Sequence, residues 1–425
     1  MNGKWKRWAQ IVATVVLIPG FMLTAGCEQD EGATGPAADG SEVVLQYVGY
    51  SDTTNRNPVC VQCHQEKTFG WRLTAHADAL TTIQESDHAA SYCIPCHTTG
   101  WDTEDSLYGA DDAWAAASSD TLKYRDVQCE VCHGPASQHN NAYLDSPTDV
   151  LMPVDSELWD ADLCGQCHEG THHPYLEEWE DSAHAVADQS AGGFVATNPA
   201  CAECHIAQSF EKWITTGESG YIADDPMPIT CQACHTAHSN ENPGQLRLPL
   251  GQNEICAKCH NAEGALPGET VHHSTWEIFT GTLAFTYPGE EYENSVHTTA
   301  LADEACIACH VYQSPYVSEA VPMKTGHTFE PRIEACQQCH EGATDFDIDG
   351  VQTEIQALLT SLEAELDAAG AGQDTTTSYL RAEYVFEAMT SEGSLGVHNT
   401  KYTRQLLEDA LADFTPVPAG SGGGR

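Results

Sequence analysis

The sequence predicts a mostly α-helical chain with extensive loop and little sheet, organised around an interior that its own side chains do not supply. Two observations carry this. A five-residue pattern, two cysteines separated by two residues and followed at once by histidine, occurs nine times between Cys60 and His340. Apolar residues at sustained helical spacing appear only after Gly342. By length alone 425 residues would make two or three domains. Successive motifs, however, start only 25 to 50 residues apart, so the repeating unit is a motif with a short wrapping of peptide.

The copies are Cys60, Cys63 and His64; Cys93, Cys96 and His97; Cys129, Cys132 and His133; Cys164, Cys167 and His168; Cys201, Cys204 and His205; Cys231, Cys234 and His235; Cys256, Cys259 and His260; Cys306, Cys309 and His310; and Cys336, Cys339 and His340. Each reads as a c-type haem attachment site: both thiols form thioethers to the porphyrin vinyl groups, and the histidine ligates iron from the proximal side. One copy alone would equally fit a redox dithiol or half a zinc site. Nine copies use 18 of the 19 cysteines, and a histidine follows every second cysteine. Neither paired zinc motifs nor a disulfide framework requires that regularity. Nine stacked covalent haems therefore form the core, and the chain should fold only as they are attached.

The N-terminus reads as an export signal, residues 1–26. Lys4, Lys6 and Arg7 are its positive region, and the run from Ile11 to Leu23 is its apolar part, too short for a membrane span. The string from Leu23 to Cys27 resembles a bacterial lipoprotein lipobox, with Thr24 where leucine is usual; lipidation would use Cys27, the one cysteine outside the motifs. Residues 27–42, small, acidic and rich in Gly, Ala and Pro, read as a flexible tether. Glu28 resembles the outer-membrane sorting pattern, which implies an exported lipoprotein of the outer membrane, on its periplasmic face or at the cell surface.

The formal charge is −46; without Lys4, Lys6 and Arg7, 14 bases stand against 63 acids, or −49. That argues against nucleic acid and anionic headgroups as partners, and for cationic ones drawn by long-range steering. An acidic surface also keeps an exported protein soluble.

Residues 43–344 form the nine-haem domain. Its opening, Trp71-Arg-Leu-Thr-Ala-His76, then CIPCHTTG from Cys93 and VQCEVCHGPASQH from Val127 to His139, resembles the tetrahaem cytochrome family of ammonia-oxidising bacteria. The resemblance implies that His76 and His139 are distal iron ligands. The acidic, cysteine-free stretch from Thr98 to Asp126 reads as surface loop with one short helix at Ala113 to Ala117. The Trp71 string is echoed around Trp179 and His184, and again from Tyr292 to His297, as internal duplication would produce. In CQACHTAH, His238 lies three residues after His235 and cannot reach the opposite face of the same haem, so it is placed to ligate a neighbouring iron.

In the segment 345–414, Val351, Ile355, Leu358, Leu359, Leu362 and Leu366 share one helical face, and Gly370 ends the run. A second helix covers Tyr379 to Met389, and a third runs from about Lys401 to Phe414 with Tyr402, Leu406, Leu407 and Leu411 inward. The last two form a helical hairpin packed on the last haems. Its Gly396-Val397-His398-Asn399 turn, with Gly326-His327 before the ninth motif, resembles the pentahaem nitrite reductase and hydroxylamine oxidoreductase superfamily, which implies that His327 is a distal ligand. Residues 415–425 read as a disordered tail. Asp345, Asp347, Asp349 and Gly350 match the opening of a calcium loop, with Glu354 two places before the usual bidentate position. The bland alternative is an acidic helix start.

An iron held by two imidazoles is closed to substrate and suits electron transfer; one with a single protein ligand can bind substrate. Beyond the nine motif histidines stand His76, His88, His139, His172, His173, His184, His238, His272, His273, His297, His327 and His398. Counting each adjacent pair once gives ten opportunities for nine irons. Methionine ligation has only Met152, Met227, Met323 and Met389 to draw on. The balance favours bis-histidine haems in respiratory electron transfer, with other cytochromes or a quinol-linked donor as redox partners. The rival is a nitrite reductase or hydroxylamine oxidoreductase with one open haem, although all nine motifs here end in histidine rather than lysine. A further alternative is a subunit of an extracellular cytochrome filament. Haem quantitation per chain, as the pyridine adduct after acid–acetone extraction, should return nine covalent haems.

Overall fold

A computed structural model describes residues 35–36, 42–43, 46–86, 90–100, 122–137, 139, 157–251, 255–369 and 376–414. The expectations for Cys27, His88, Met152, the Ala113–Ala117 helix and the tail from Thr415 lie outside these residues. The chain divides into two units, Met1–Gln46 and Tyr47–Arg425. The first contributes a two-residue antiparallel ladder, Gly35–Pro36 with Glu42–Val43.

The second unit is mostly helical. Its two-stranded ladder joins Tyr50–Asp52 to Asn57–Pro58. From there to Gly342 the helices are short, and the motifs themselves account for several: Cys129–His133, Pro199–His205, Cys231–Cys234 and Ile307–His310. Side-chain clusters in this stretch are small. One gathers Tyr50, Trp71 and Ala77, another Ala207, Phe210, Ala233 and Ile255.

The extensive apolar core lies at the C-terminal end. Three helices, Val351–Ala369, Thr377–Glu392 and Thr400–Asp413, pack on one another and on the stretch 262–287. The first buries Ile355, Leu359, Leu362 and Leu366, the stripe that the periodicity predicts, while Val351 and Leu358 flank it half-buried. The second extends beyond the expected Tyr379–Met389. Thr376 caps its start by accepting from the Tyr379 N–H, and Gly393 closes it in the left-handed conformation at φ 76°. Tyr402, Leu406 and Leu407 of the third are fully buried, with Leu411 at the margin.

Leu362→Ala should cost about 2–5 kcal/mol, because a fully buried leucine among close-packed helices leaves a cavity that the neighbours fill only partly. Denaturant unfolding of the haem-loaded protein measures this, and its visible spectrum should stay unchanged.

Candidate haem-binding sites

The motif spacing has a direct helical reason. The histidine N–H returns to the carbonyl of the first cysteine: His64 to Cys60 at 2.9 Å, His168 to Cys164 at 3.0 Å, His260 to Cys256 at 2.9 Å, His340 to Cys336 at 2.8 Å. Residues three and four apart share a helix face, so one turn presents both sulfurs and the imidazole on the same side. Several rings are then fixed through Nδ1 on backbone carbonyls: His97 on Ala79 at 2.7 Å, His205 on Ala187 at 3.1 Å, His235 on Gly244 at 2.7 Å and His310 on Phe329 at 2.8 Å. An Nδ1–H committed to a carbonyl leaves Nε2 bare for a metal.

Opposite the motif histidines stand others. Ring centres are separated by 6.3 Å for His64 and His139, 6.0 Å for His133 and His238, 6.2 Å for His168 and His76, and 6.5 Å for His205 and His273. The remaining pairs are His235 with His327 at 6.2 Å, His260 with His184 at 6.1 Å, His310 with His398 at 6.0 Å and His340 with His297 at 6.1 Å. His97, the ninth, interacts electrostatically with His173. Metal–imidazole bonds of about 2.0 Å on either side, plus about 1.1 Å from nitrogen to ring centre, put two trans imidazoles about 6.2 Å apart. The residues therefore fit iron held between two histidines. Apolar side chains beside the motifs, Phe69, Leu73, Tyr92 and Val296 among them, are more than half exposed on the polypeptide, which offers flat apolar porphyrin a surface to cover.

The pairing follows a three-motif repeat. Trp71, His76, Ala79 and His97 recur as Trp179, His184, Ala187 and His205. In both copies the tryptophan Nε1 donates to the residue two places before a later motif, Val127 at 2.9 Å and Ile229 at 2.8 Å. Both ring-to-carbonyl bonds, His97 to Ala79 and His205 to Ala187, are likewise repeated. His238 faces His133, a motif histidine of the preceding repeat and not its own neighbour His235, in the manner its three-residue offset requires.

Two glycines permit the closest approaches. A Cβ on Gly70 would lie 1.7 Å from the His238 carbonyl oxygen. Gly326, at φ 77°, brings the His327 strap so near Val311 that a Cβ would meet its backbone at 2.5 Å. The strap is also held by buried Glu178, which accepts from the Thr325 N–H and Oγ1–H and from the His327 N–H.

Free thiols of different motifs interact across the chain: Cys60 with Cys129, Cys96 with Cys167, Cys164 with Cys231 and Cys204 with Cys259. The pattern again repeats: first motif against third, second against the next first.

The paired histidines flank one further group. His205, His272 and His273 bring their ligand atoms within 4.8 Å of one another, the one such trio among the described residues. His172 instead packs on Tyr316 at 4.2 Å. The acidic string after Gly342 is organised differently. Asp347 accepts from the Thr353 N–H at 3.1 Å and its hydroxyl at 2.6 Å. Glu354 forms two bonds with Arg404, at 2.8 and 2.6 Å. Asp345 accepts from the Asp347 N–H at 3.1 Å. Sequence reasoning missed Glu178 and Glu392; a glutamate among 63 acids carries no local signal of burial.

Burial pushes the imidazoles of His168, His238, His260 and His273 down to about 4, with neighbouring cationic groups adding to it. Below the ordinary value of 6.5 the unfolded chain binds protons that these rings refuse, so stability falls as pH drops from about 6.5 to about 4. Iron on Nε2 likewise keeps the proton off these rings in the folded state, so denaturant midpoints of the haem-loaded protein should decline as pH drops below about 6.5.

Comparison with known proteins agrees with this geometry. The family of cytochromes c554 and c-prime matches residues 59–134, and the doubled CXXCH motif family matches residues 226–265. The multihaem cytochrome MtrA of Shewanella baltica (strain OS185) is 24% identical over 273 residues, 60% of this chain and 67% of that protein. Two solved structures share the fold. The outer cell wall cytochrome OcwA has a TM-score of 0.57 at 23% identity, covering 76% of this chain and 75% of that one. The undecahaem cytochrome from the S-layer of Carboxydothermus ferrireducens has a TM-score of 0.59 at 18% identity, covering 90% and 71%. With motifs spaced for covalent haem, imidazoles paired across them and relatives of this kind, the chain is a multihaem c-type cytochrome.

Proposed function

We propose that this electron-transfer cytochrome carries nine haems, each held by two histidines, and conducts electrons along them without binding substrate. The observation that carries the reading is the set of eight ring pairs at 6.0–6.5 Å, together with the electrostatic interaction between His97 and His173. Bound haem supplies a reversible one-electron iron centre; the chain contributes spacing, ligands and local dielectric. The motif histidines are the proximal ligands. The distal set is His139, His173, His238, His76, His273, His327, His184, His398 and His297, taken in the order of motifs one, two, three, four, five, six, seven, eight and nine. Imidazoles on both sides close the irons to exogenous ligands and hold them low-spin.

The wider reading places the protein as an exported lipoprotein, lipidated at Cys27, at the outer membrane and passing electrons between redox partners. The cleavage-like string before Cys27 supports this, as do the relatives named for an outer cell wall and an S-layer. No helix of the described residues is long and apolar enough to cross a membrane.

Electron paramagnetic resonance of the ferric protein should show low-spin haem only, and the ferrous protein should not bind carbon monoxide. A stoichiometric high-spin haem that takes carbon monoxide would overturn the reading. His76→Ala should convert one haem in nine to that open form.

A further inference from the structure

The eighth motif differs from the others in what stands behind its paired imidazole. Where a partner for Nδ1 is defined elsewhere, it is neutral: Val397 O for His297 at 2.8 Å, Thr325 Oγ1 for His327 at 3.0 Å, and the backbone carbonyls that fix His97, His205, His235 and His310. His398 instead turns its Nδ1 to the carboxylate of Glu392, in the one histidine–carboxylate ion pair among the described residues.

The arrangement is built into the turn that follows the Thr377–Glu392 helix. Glu392 is the last residue of the Thr377–Glu392 helix, and Gly393 reverses the backbone so that His398 comes back onto it. The Glu392 side chain is 1% exposed. Its second oxygen accepts from the Ser394 N–H at 3.0 Å, so both carboxylate oxygens are occupied. A buried carboxylate is costly unless hydrogen-bonded and paired, which makes this pairing specific to the site. Nδ1 donates to Glu392, and the opposite edge of the His398 ring faces His310 at 6.0 Å between centres.

We propose that Glu392 is a positioning residue for the haem held by His310 and His398, and that its charge lowers the reduction potential of that haem relative to the haem held by His340 and His297. A carboxylate behind a ligating imidazole fixes the ring and raises its basicity. More electron density reaches the metal, and ferric iron, which carries the greater positive charge, gains more than ferrous. The same turn provides an internal comparison. Val397 places a neutral carbonyl behind His297, and the next residue is backed by an anion. Two adjacent sites on one short segment are thereby given different electrostatics, so an electron moving between them meets an energy step.

The proposal rests on the ligand reading above, and the two are tested apart. His398→Ala should produce one high-spin haem; if it does not, the ligand assignment fails. In Glu392→Gln, with all haems attached and low-spin, potentiometric titration should show one haem of nine easier to reduce. Its ferrous/ferric ratio at fixed potential should rise about tenfold, or about 59 mV for a one-electron couple. Glu392→Asp should return most of the difference. Nine unchanged couples, or a couple that falls, would overturn the proposal. Should Glu392→Gln not load haem, the reduced diamagnetic wild-type protein decides: one ligand Nδ1–H resonance must lie well downfield of the rest by nuclear magnetic resonance, and its absence overturns the proposal too.

Discussion

A metal between two imidazoles needs its ligands on opposite sides of a flat plate, and a single helical turn supplies only one of them. Everything between Cys60 and His340 answers that constraint. The second imidazole comes from another part of the chain: His76 faces His168, His184 faces His260, His238 faces His133 and His327 faces His235. Each of these pairings crosses from one repeat of three motifs into the next. At the ends, where a neighbouring repeat is lacking, the pairs close locally: His139 faces His64, and His297 faces His340. The repeats are thus interlocked rather than stacked as separable units, and the middle repeat, motifs four to six, would in isolation lack His76, His273 and His327, half its imidazoles. Capping of terminal repeats is the general rule for such arrays.

The distribution of apolar packing follows. Among the described residues between Tyr47 and Ile255 the buried clusters given by Tyr50, Trp71 and Ala77 and by Ala207, Phe210, Ala233 and Ile255 are small, whereas the three C-terminal helices and the stretch 262–287 form a continuous core. In the first region the backbone is held by polar anchors. Buried Glu130 accepts from the Val48 and Gly49 N–H groups and from Ala136, tying three segments together. Glu178 does the same for the His327 strap. Such carboxylates, satisfied by several N–H donors, rigidify a chain that has little side-chain core of its own.

How much of this the sequence discloses depends on the range of the interaction involved. The motif is local, a turn and a face, and is legible in five residues. The Trp71 and Trp179 strings are legible as a repeat because the same side chain makes the same long-range hydrogen bond in both copies. His238 was constrained by reach, since three residues cannot carry it round its own haem. Which iron each remaining histidine serves is not local. It depends on approaches such as Gly70 against the His238 carbonyl, where the informative residue is the one that lacks a side chain. The partners of the acidic string after Gly342 are likewise not all local: Thr353 binds Asp347, while Arg404, fifty residues away, binds Glu354.

Sequence order and spatial order also part company. Thiol interactions join the first motif to the third and the fourth to the sixth, the second to the fourth and the fifth to the seventh. Weaker electrostatic contacts link the third to the fourth through Cys132, the sixth to the seventh through Cys234, the seventh to the eighth through His260 and His310, and the eighth to the ninth through Cys309. Followed by contact, the attachment sites run one, three, four, six, seven, eight, nine, with two and five set to the side. Both side positions belong to the middle motif of a repeat, and the histidine of each interacts with a member of an adjacent histidine pair, His97 with His173 and His205 with His273. A chain duplicated in units of three therefore departs from sequence order in space, because each middle motif meets the first motif of the next repeat while the first motif meets the third of its own.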